Sequence, residues 1–199
     1  MCTYSFCKLP TDTPSQLGIP TANLPVDAET TPWIADCVSG VYFGWAVLEA
    51  TRPGEAVAAE AKGVIGGVTS KLPEEGTENT DKTAAVAGLY PMVMSIGNNP
   101  FYHNTTRTAE VHILYPFAHD FYGAHLRLAI LGYIRPEQNY ASLDALVEDI
   151  QFDCVVAKQS LARAGWTPAG QSTALAGAEG VTEEKGATSG TLVIPWLLG

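Results

Sequence analysis

Four side chains combine reactive type with useful spacing: Thr21 and Asn23 in a stretch bounded by glycine and proline, and Glu110 and His112 in a run of alternating polarity. From Thr108 to Tyr115 the alternation is that of a half-buried strand. Ala109, Val111, Ile113 and Tyr115 then share one face, and Thr108, Glu110, His112 and Leu114 the other. Taken alone, Glu-x-His describes a solvated strand face as well as it describes a base. Thr21 and Asn23 lie two apart in Leu17-Gly18-Ile19-Pro20-Thr21-Ala22-Asn23-Leu24-Pro25, where an extended backbone would present their oxygens on one side. Two neutral oxygens are a poor seat for a bare cation. They suit magnesium that arrives with phosphate, because that ion keeps few protein ligands; the same pair could equally bond its own turn. A carboxylate base and a seat for a phosphate-bound ion are the parts needed for phosphoryl transfer to an alcohol, whose catalysis rests on positioning and charge stabilisation.

The elements that must position these groups are mostly strands. Met94 to Ile96 end an apolar run, and Gly97-Asn98-Asn99-Pro100 has the chemistry of a turn, so this run and Thr108 to Tyr115 read as a hairpin. Ser39 to Ala50, Leu89 to Ile96 and His125 to Arg135 read as further strands, with Gly40 and Gly44 as points of bulging or close approach. Ser142 is placed to cap a helix in which Leu143, Leu146, Val147, Ile150, Cys154, Ala157 and Leu161 follow helical spacing, with Gly165 as the stop. Residues 1–16 read as irregular, 51–88 as a solvated insertion into a barrel-and-helix unit spanning 17–165, and 166–199 as a loose tail. Strands without intervening helices cannot make parallel crossovers. The expected fold is therefore all-β, an antiparallel sheet that closes into a small barrel to hide its edges, with the helix against one side.

Composition narrows the chemistry. A chain of 199 residues leaves room for one domain with a real core, and a net charge of −10 argues against nucleic acid or an anionic membrane as partner. Cys2, Cys7, Cys37 and Cys154 form no C-x-x-C pair and read as reduced thiols. No basic segment followed by an apolar one opens the chain, and no apolar run approaches the ~18 residues of a membrane span. A soluble cytoplasmic monomer, with mitochondrial association as a variant, and a small-molecule partner are expected. No G-x-G-x-x-G, Walker loop, G-x-S-x-G or H-E-x-x-H is present, and His103, His112, His119 and His125 lack metal-site spacing.

The sequence also resembles the riboflavin kinases. Gly18-Ile19-Pro20-Thr21-Ala22-Asn23-Leu24-Pro25 is similar to that family's P-T-A-N loop and GVYFGWA at 40–46 to its G-x-Y-x-G-x-A strand. SIGNNPFY, RTAEVHIL, DFYG and GYIRPEQNY follow in the family's order, through the helix to about residue 164. The resemblance implies a six-stranded antiparallel barrel of Greek-key type with a terminal helix. It implies transfer of the γ-phosphoryl group of ATP to the 5′-hydroxyl of riboflavin, giving FMN, with magnesium or with zinc or manganese as substitutes. By motif match Thr21 and Asn23 would hold the ion and Glu110 would take the hydroxyl proton. Ile113, Tyr115 and Tyr122 would line the nucleotide site, while Arg135, Gln138 and Tyr140 would cover the flavin. Tyr140 could stack on the isoalloxazine ring, and Arg135 with Gln138 could bond its polar edge.

One departure stands out. Ahead of P-T-A-N the family shows a strand and a basic, glycine-rich segment of the type G-F-G-R-G-S-K, whereas the corresponding place here reads KLPTDTPSQ and no Lys or Arg lies between Lys8 and Arg52. Two expectations follow: a barrel whose first strand is missing, with weak kinase activity, or a non-catalytic flavin-binding barrel that has lost its phosphate clamp. Length leaves no room for a fused adenylyl-transfer domain.

Overall fold

The computed structural model describes residues 3–5, 21–24, 26, 31–49, 88–98, 107–116, 125–182 and 186–198. Within them one sheet is built from β1 (Thr3–Ser5), β2 (Ala22–Asn23), β3 (Gly40–Glu49), β4 (Gly88–Asn98), β5 (Arg107–Ile113) and β6 (His125–Arg135). Its order is β1-β6-β3-β4-β5-β2, and each pairing is antiparallel. The all-β sheet with a helix expected from the strand pattern is thus present.

Alternation explains how the sheet is filled. Residues such as Ala22, Ala46, Met94, Val111 and Leu128 send one face of β2 to β6 into a shared apolar interior. Phe43, Trp45, Val93 and Ala129 turn outward beneath helix α1 (Leu143–Leu161), which covers them with Ala157 and Leu161. Gly44 sits at a register shift between β3 and β6, where a β-carbon would overlap the Ala129 carbonyl. The close approach read from the sequence is real there, and only glycine permits it.

Helix α1 starts where expected: the Ser142 hydroxyl accepts from the Ala145 N–H at 3.2 Å. Its apolar stripe is used unevenly. Leu143 is exposed, whereas Asp153, Ala157, Ser160 and Leu161 are buried, because the first turns face the polar loop after β6 rather than the apolar sheet.

Three expectations are corrected. The first concerns residues 1–16, read as irregular with the first strand missing: Thr3–Ser5 pairs with β6, Thr3 opposite Arg127 and Ser5 opposite His125. The outermost strands of the sheet are thus a three-residue and a two-residue strand, short enough to discourage edge-to-edge pairing. The second is the turn at 97–100, since β4 continues through Asn98, paired with Arg107, before leaving the described residues. The third is the tail after Trp166, read as loose and instead folded back on the outer face of the sheet. Trp45 Nε1 donates to the Trp166 carbonyl at 2.7 Å and the Trp166 ring lies against Phe43. Bridges join Pro168 to Leu192 and Ala169 to Gly190, and helix α2 (Pro195–Leu198) buries Leu197.

Gly88, placed with the insertion, opens β4. The rest of that insertion, the KLPTDTPSQ segment, Cys2, Cys7 and Tyr122 lie outside the described residues, and Cys37 and Cys154 are free thiols. Among the described residues no helix is long and apolar enough to cross a membrane.

Candidate active site

A single row of residues runs across the sheet. Arg135 on β6 lies opposite Val41, Val41 opposite Ser95, Ser95 opposite Glu110, and Glu110 opposite Asn23. Residues directly opposite in an antiparallel pair project from the same face. The neighbouring pair Ala22 and Val111 is buried in the interior, so Asn23 and Glu110 together face outward. Thr21, Ala22, Asn23 and Leu24 alternate between half-buried and buried, and the Leu24 N–H continues the ladder to the Ala109 carbonyl at 2.9 Å. This extended run sets Thr21 on the same side as Asn23. The oxygen pair and the carboxylate, far apart in sequence, thus share one surface.

Glu110 occupies an unusual setting for a carboxylate. Its pKa is raised, first by burial and then by the negative charge of Glu137. Glu137 belongs to the loop after β6, and its carboxylate lies directly over Gly97, where any β-carbon would overlap it. It bonds the Ser95 side chain and lies within electrostatic reach of Arg107; both effects pull its pKa down, while burial, the larger effect, pushes it up. Arg107 reaches from β5 to the Ala35 carbonyl and the Ser39 hydroxyl, each at 3.2 Å. A carboxylate partly withdrawn from water, facing a second carboxylate, is held nearer the range in which it can take a proton.

The other end of the row is closed. Arg135 Nε and Nη2 donate to the two carboxylate oxygens of Asp153 at 2.9 and 2.7 Å, and Nη1 donates to the Pro136 carbonyl at 3.3 Å. The Tyr140 hydroxyl donates to Asp149 at 2.8 Å, and the Arg135 guanidinium lies 6.0 Å from the centre of the Tyr140 ring. Arg135, with Tyr140, fastens the 136–140 loop to α1. Gln138 is exposed on that loop.

Two of the three residues expected at the nucleotide site lie together. Ile113 is buried in the barrel interior, and Tyr115 packs against the same cluster with its ring 5.0 Å from that of Tyr90. Both belong to the face opposite Glu110. Sequence reasoning missed Ser95, Gly97, Arg107 and Glu137. A lone serine in an apolar strand, and an acid in the Arg135-Pro136-Glu137 run, were the available signals, but only strand register brings them to Glu110.

Fold and site together define a class: a small antiparallel barrel with a C-terminal helix and a half-buried carboxylate on its outer face. The comparisons carry this further. The family model for flavokinase, or riboflavin kinase, matches residues 12–161. A riboflavin kinase of Chaetomium globosum is 49% identical over 161 residues, covering 78% of this chain and 68% of the relative. One of Pyricularia oryzae is 47% identical over 180 residues, covering 90% and 78%. In three dimensions the chain is similar to riboflavin kinase from Trypanosoma brucei, with a TM-score of 0.53, 27% identity and coverage of 80% and 77%. The chain belongs to the riboflavin kinase family, whose members use ATP as co-substrate.

Proposed function

We propose that this chain transfers the γ-phosphoryl group of ATP to the 5′-hydroxyl of riboflavin, releasing FMN and ADP, with Glu110 as general base. Family membership supports the reaction, and the observation that carries the residue assignment is the pairing of Asn23 with Glu110 across β2 and β5. In this reading the Glu110 carboxylate takes the hydroxyl proton as the substrate oxygen bonds to the γ-phosphorus and the bond from phosphorus to the ADP oxygen breaks.

Thr21 and Asn23 would hold magnesium, or zinc or manganese in its place. Their chemistry fits: two neutral oxygens on the face of the base leave an ion to draw its remaining ligands from phosphate and water. Among the described residues no group of three or more His, Cys, Asp or Glu is placed to hold a metal instead. When bound, the ion would neutralise charge on the transferring phosphate. We assign the flavin to Gln138 and the Tyr140 ring, and the nucleotide to Tyr115 and Tyr122. Ile113 would join them at the nucleotide side, and Arg135, besides fastening the loop, would join Gln138 at the polar edge of the flavin. The setting we propose is the cytoplasm, with the chain acting as a monomer.

The test is ATP-dependent FMN formation by this chain and by Glu110→Gln. The substitution should lower kcat by roughly 10²–10⁴-fold while leaving riboflavin affinity, read from flavin fluorescence, nearly unchanged. Full turnover in Glu110→Gln would return Glu110 to an ordinary strand face. Absence of FMN from the parent chain at saturating ATP and magnesium would remove the reaction itself and leave the non-catalytic flavin binder.

A further inference from the structure

The row across the sheet runs Asn23, Glu110, Ser95, Val41 and Arg135: an amide, a carboxylate, a hydroxyl, an apolar side chain and a guanidinium fastened to α1. Val41 belongs to the core beneath α1, which leaves Ser95 as the member of the row with no task. It is also the exception in its strand. Of the outer-face residues of β4, Leu89, Pro91, Val93 and Gly97 are buried and Ser95 is half open. A face that was merely solvated would open along its length; this one opens at the position directly opposite Glu110, one strand spacing or about 5 Å away. Two residues further on, the 136–140 loop comes down onto the strand at Gly97, where a β-carbon would overlap the loop. Thr108, opposite Gly97, turns its hydroxyl to the Gly97 carbonyl at 3.4 Å. Between the base and the loop, the floor is therefore a serine hydroxyl and bare backbone.

We propose that Ser95 reads the polyol chain of the substrate: its side-chain oxygen accepts a hydrogen bond from the ribityl hydroxyl next to the one that is phosphorylated. The inference rests on the function proposed above, with Glu110 as base and the ring at the 136–140 loop. Riboflavin then lies with its parts in the order of the row. Its terminal hydroxyl meets Glu110, its secondary hydroxyls follow along a short carbon chain, and its flat ring reaches Tyr140, so the chain crosses the floor at Ser95. A serine oxygen has two lone pairs and one proton, so it can accept from a substrate hydroxyl while its own proton stays with a protein partner. Partial burial makes the contact selective. A hydroxyl satisfies the oxygen, whereas a methylene in its place covers it and leaves it without a partner.

The experiment measures kcat/KM for 5′-phosphorylation by the parent, Ser95→Ala and Ser95→Cys, with riboflavin and with its 4′-deoxy and 2′-deoxy analogues, at saturating ATP and magnesium. Cysteine keeps the volume of serine with a sulfur that accepts only weakly. On riboflavin both variants should fall about three- to tenfold, the size of one neutral hydrogen bond, with the KM for ATP unchanged. The parent should fall by a similar factor on the 4′-deoxy chain, and there the substitutions should add nothing, because the partner is already gone. On the 2′-deoxy chain, whose missing hydroxyl lies nearer the ring, the substitutions should cost what they cost on riboflavin. A packing effect would instead lower all three substrates by one factor. If the parent makes FMN, Glu110→Gln does not, and the Ser95 variants show that single factor or no loss, this inference fails and the proposed function stands. If the parent makes no FMN, or Glu110→Gln keeps full turnover, the reading beneath fails and takes the inference with it.

Discussion

Two carboxylates, Glu110 and Asp153, serve opposite ends of the same row across the sheet, and their surroundings differ in sign. Asp153 is 1% exposed and holds the Arg135 guanidinium with both oxygens, so its burial is matched by an opposite charge and two directed hydrogen bonds. Glu110 is half-buried, and the charge that acts on it most is another carboxylate. A buried acid held by arginine through two directed hydrogen bonds contributes geometry. A buried acid facing an acid is held closer to proton exchange and can contribute chemistry. The comparison also ties the ends together, because the arginine satisfied by Asp153 fixes the loop that places Glu137 beside Glu110.

The strongest way to break the contrast is at the closed end. Asp153→Ala leaves the Arg135 guanidinium partly buried with only Asp149, 3.9 Å from Nη2 and more exposed, to meet it. The expected loss is about 3 kcal/mol, the low end for a broken buried pair because the Arg135 side chain keeps 16% of its exposure. Urea unfolding measures it. The double substitution Arg135→Met with Asp153→Leu should recover most of that loss, since paired desolvation costs much of what the ion pair contributes. If the single change proves neutral, the closed end is no different from a surface contact.

The elements were legible where local periodicity decides. Thr108 to Tyr115 and His125 to Arg135 alternate or run apolar, and Ser142 announces its helix. The juxtaposition of Asn23 with Glu110 was not, because register between distant strands depends on how the whole sheet rolls. The resemblance to riboflavin kinases chose both residues without saying that they face each other. Asp153 could have been noticed: it falls on the apolar stripe of its helix between Ile150 and Ala157, and a charge there implies a buried cation. The tail misled for a different reason. Composition averaged over 166–199 looks unable to order itself, yet a few anchors, Trp166 on Phe43, Leu197 and Thr167 in full burial, are enough to hold it down.

A gentler change sharpens the link between the ends. Tyr140→Phe keeps the ring that we assign to the flavin and removes the hydroxyl that reaches Asp149 at 2.8 Å. Asp149 remains 39% exposed and can turn to water, so the cost in stability should be about 1 kcal/mol or less. Flavin affinity should hold if the ring is what matters. A large drop in thermal stability would mean that this hydroxyl fastens the loop as firmly as Arg135 does.

The smallest effect lies at the open end and concerns stability rather than turnover. The folded-state pKa of Glu110 is raised above its ordinary value of 4.5 by burial and by Glu137. Below pH 4.5 the carboxyl is protonated in both folded and unfolded chains and carries no penalty. As pH rises from there toward the folded value, the unfolded chain releases its proton first, so the native state binds more protons and loses stability. Above the folded value the loss is complete and constant. Glu110→Gln has no proton to release and escapes this loss. Its melting temperature relative to the parent should therefore climb through the window that opens at the ordinary carboxylate value, then level off. The effect stays small because Glu110 still reaches water. A melting difference that is flat with pH would show that Glu110 sits in ordinary solvent. One that falls as pH rises would show that the site stabilises its charge, with a cation where Glu137 is now placed.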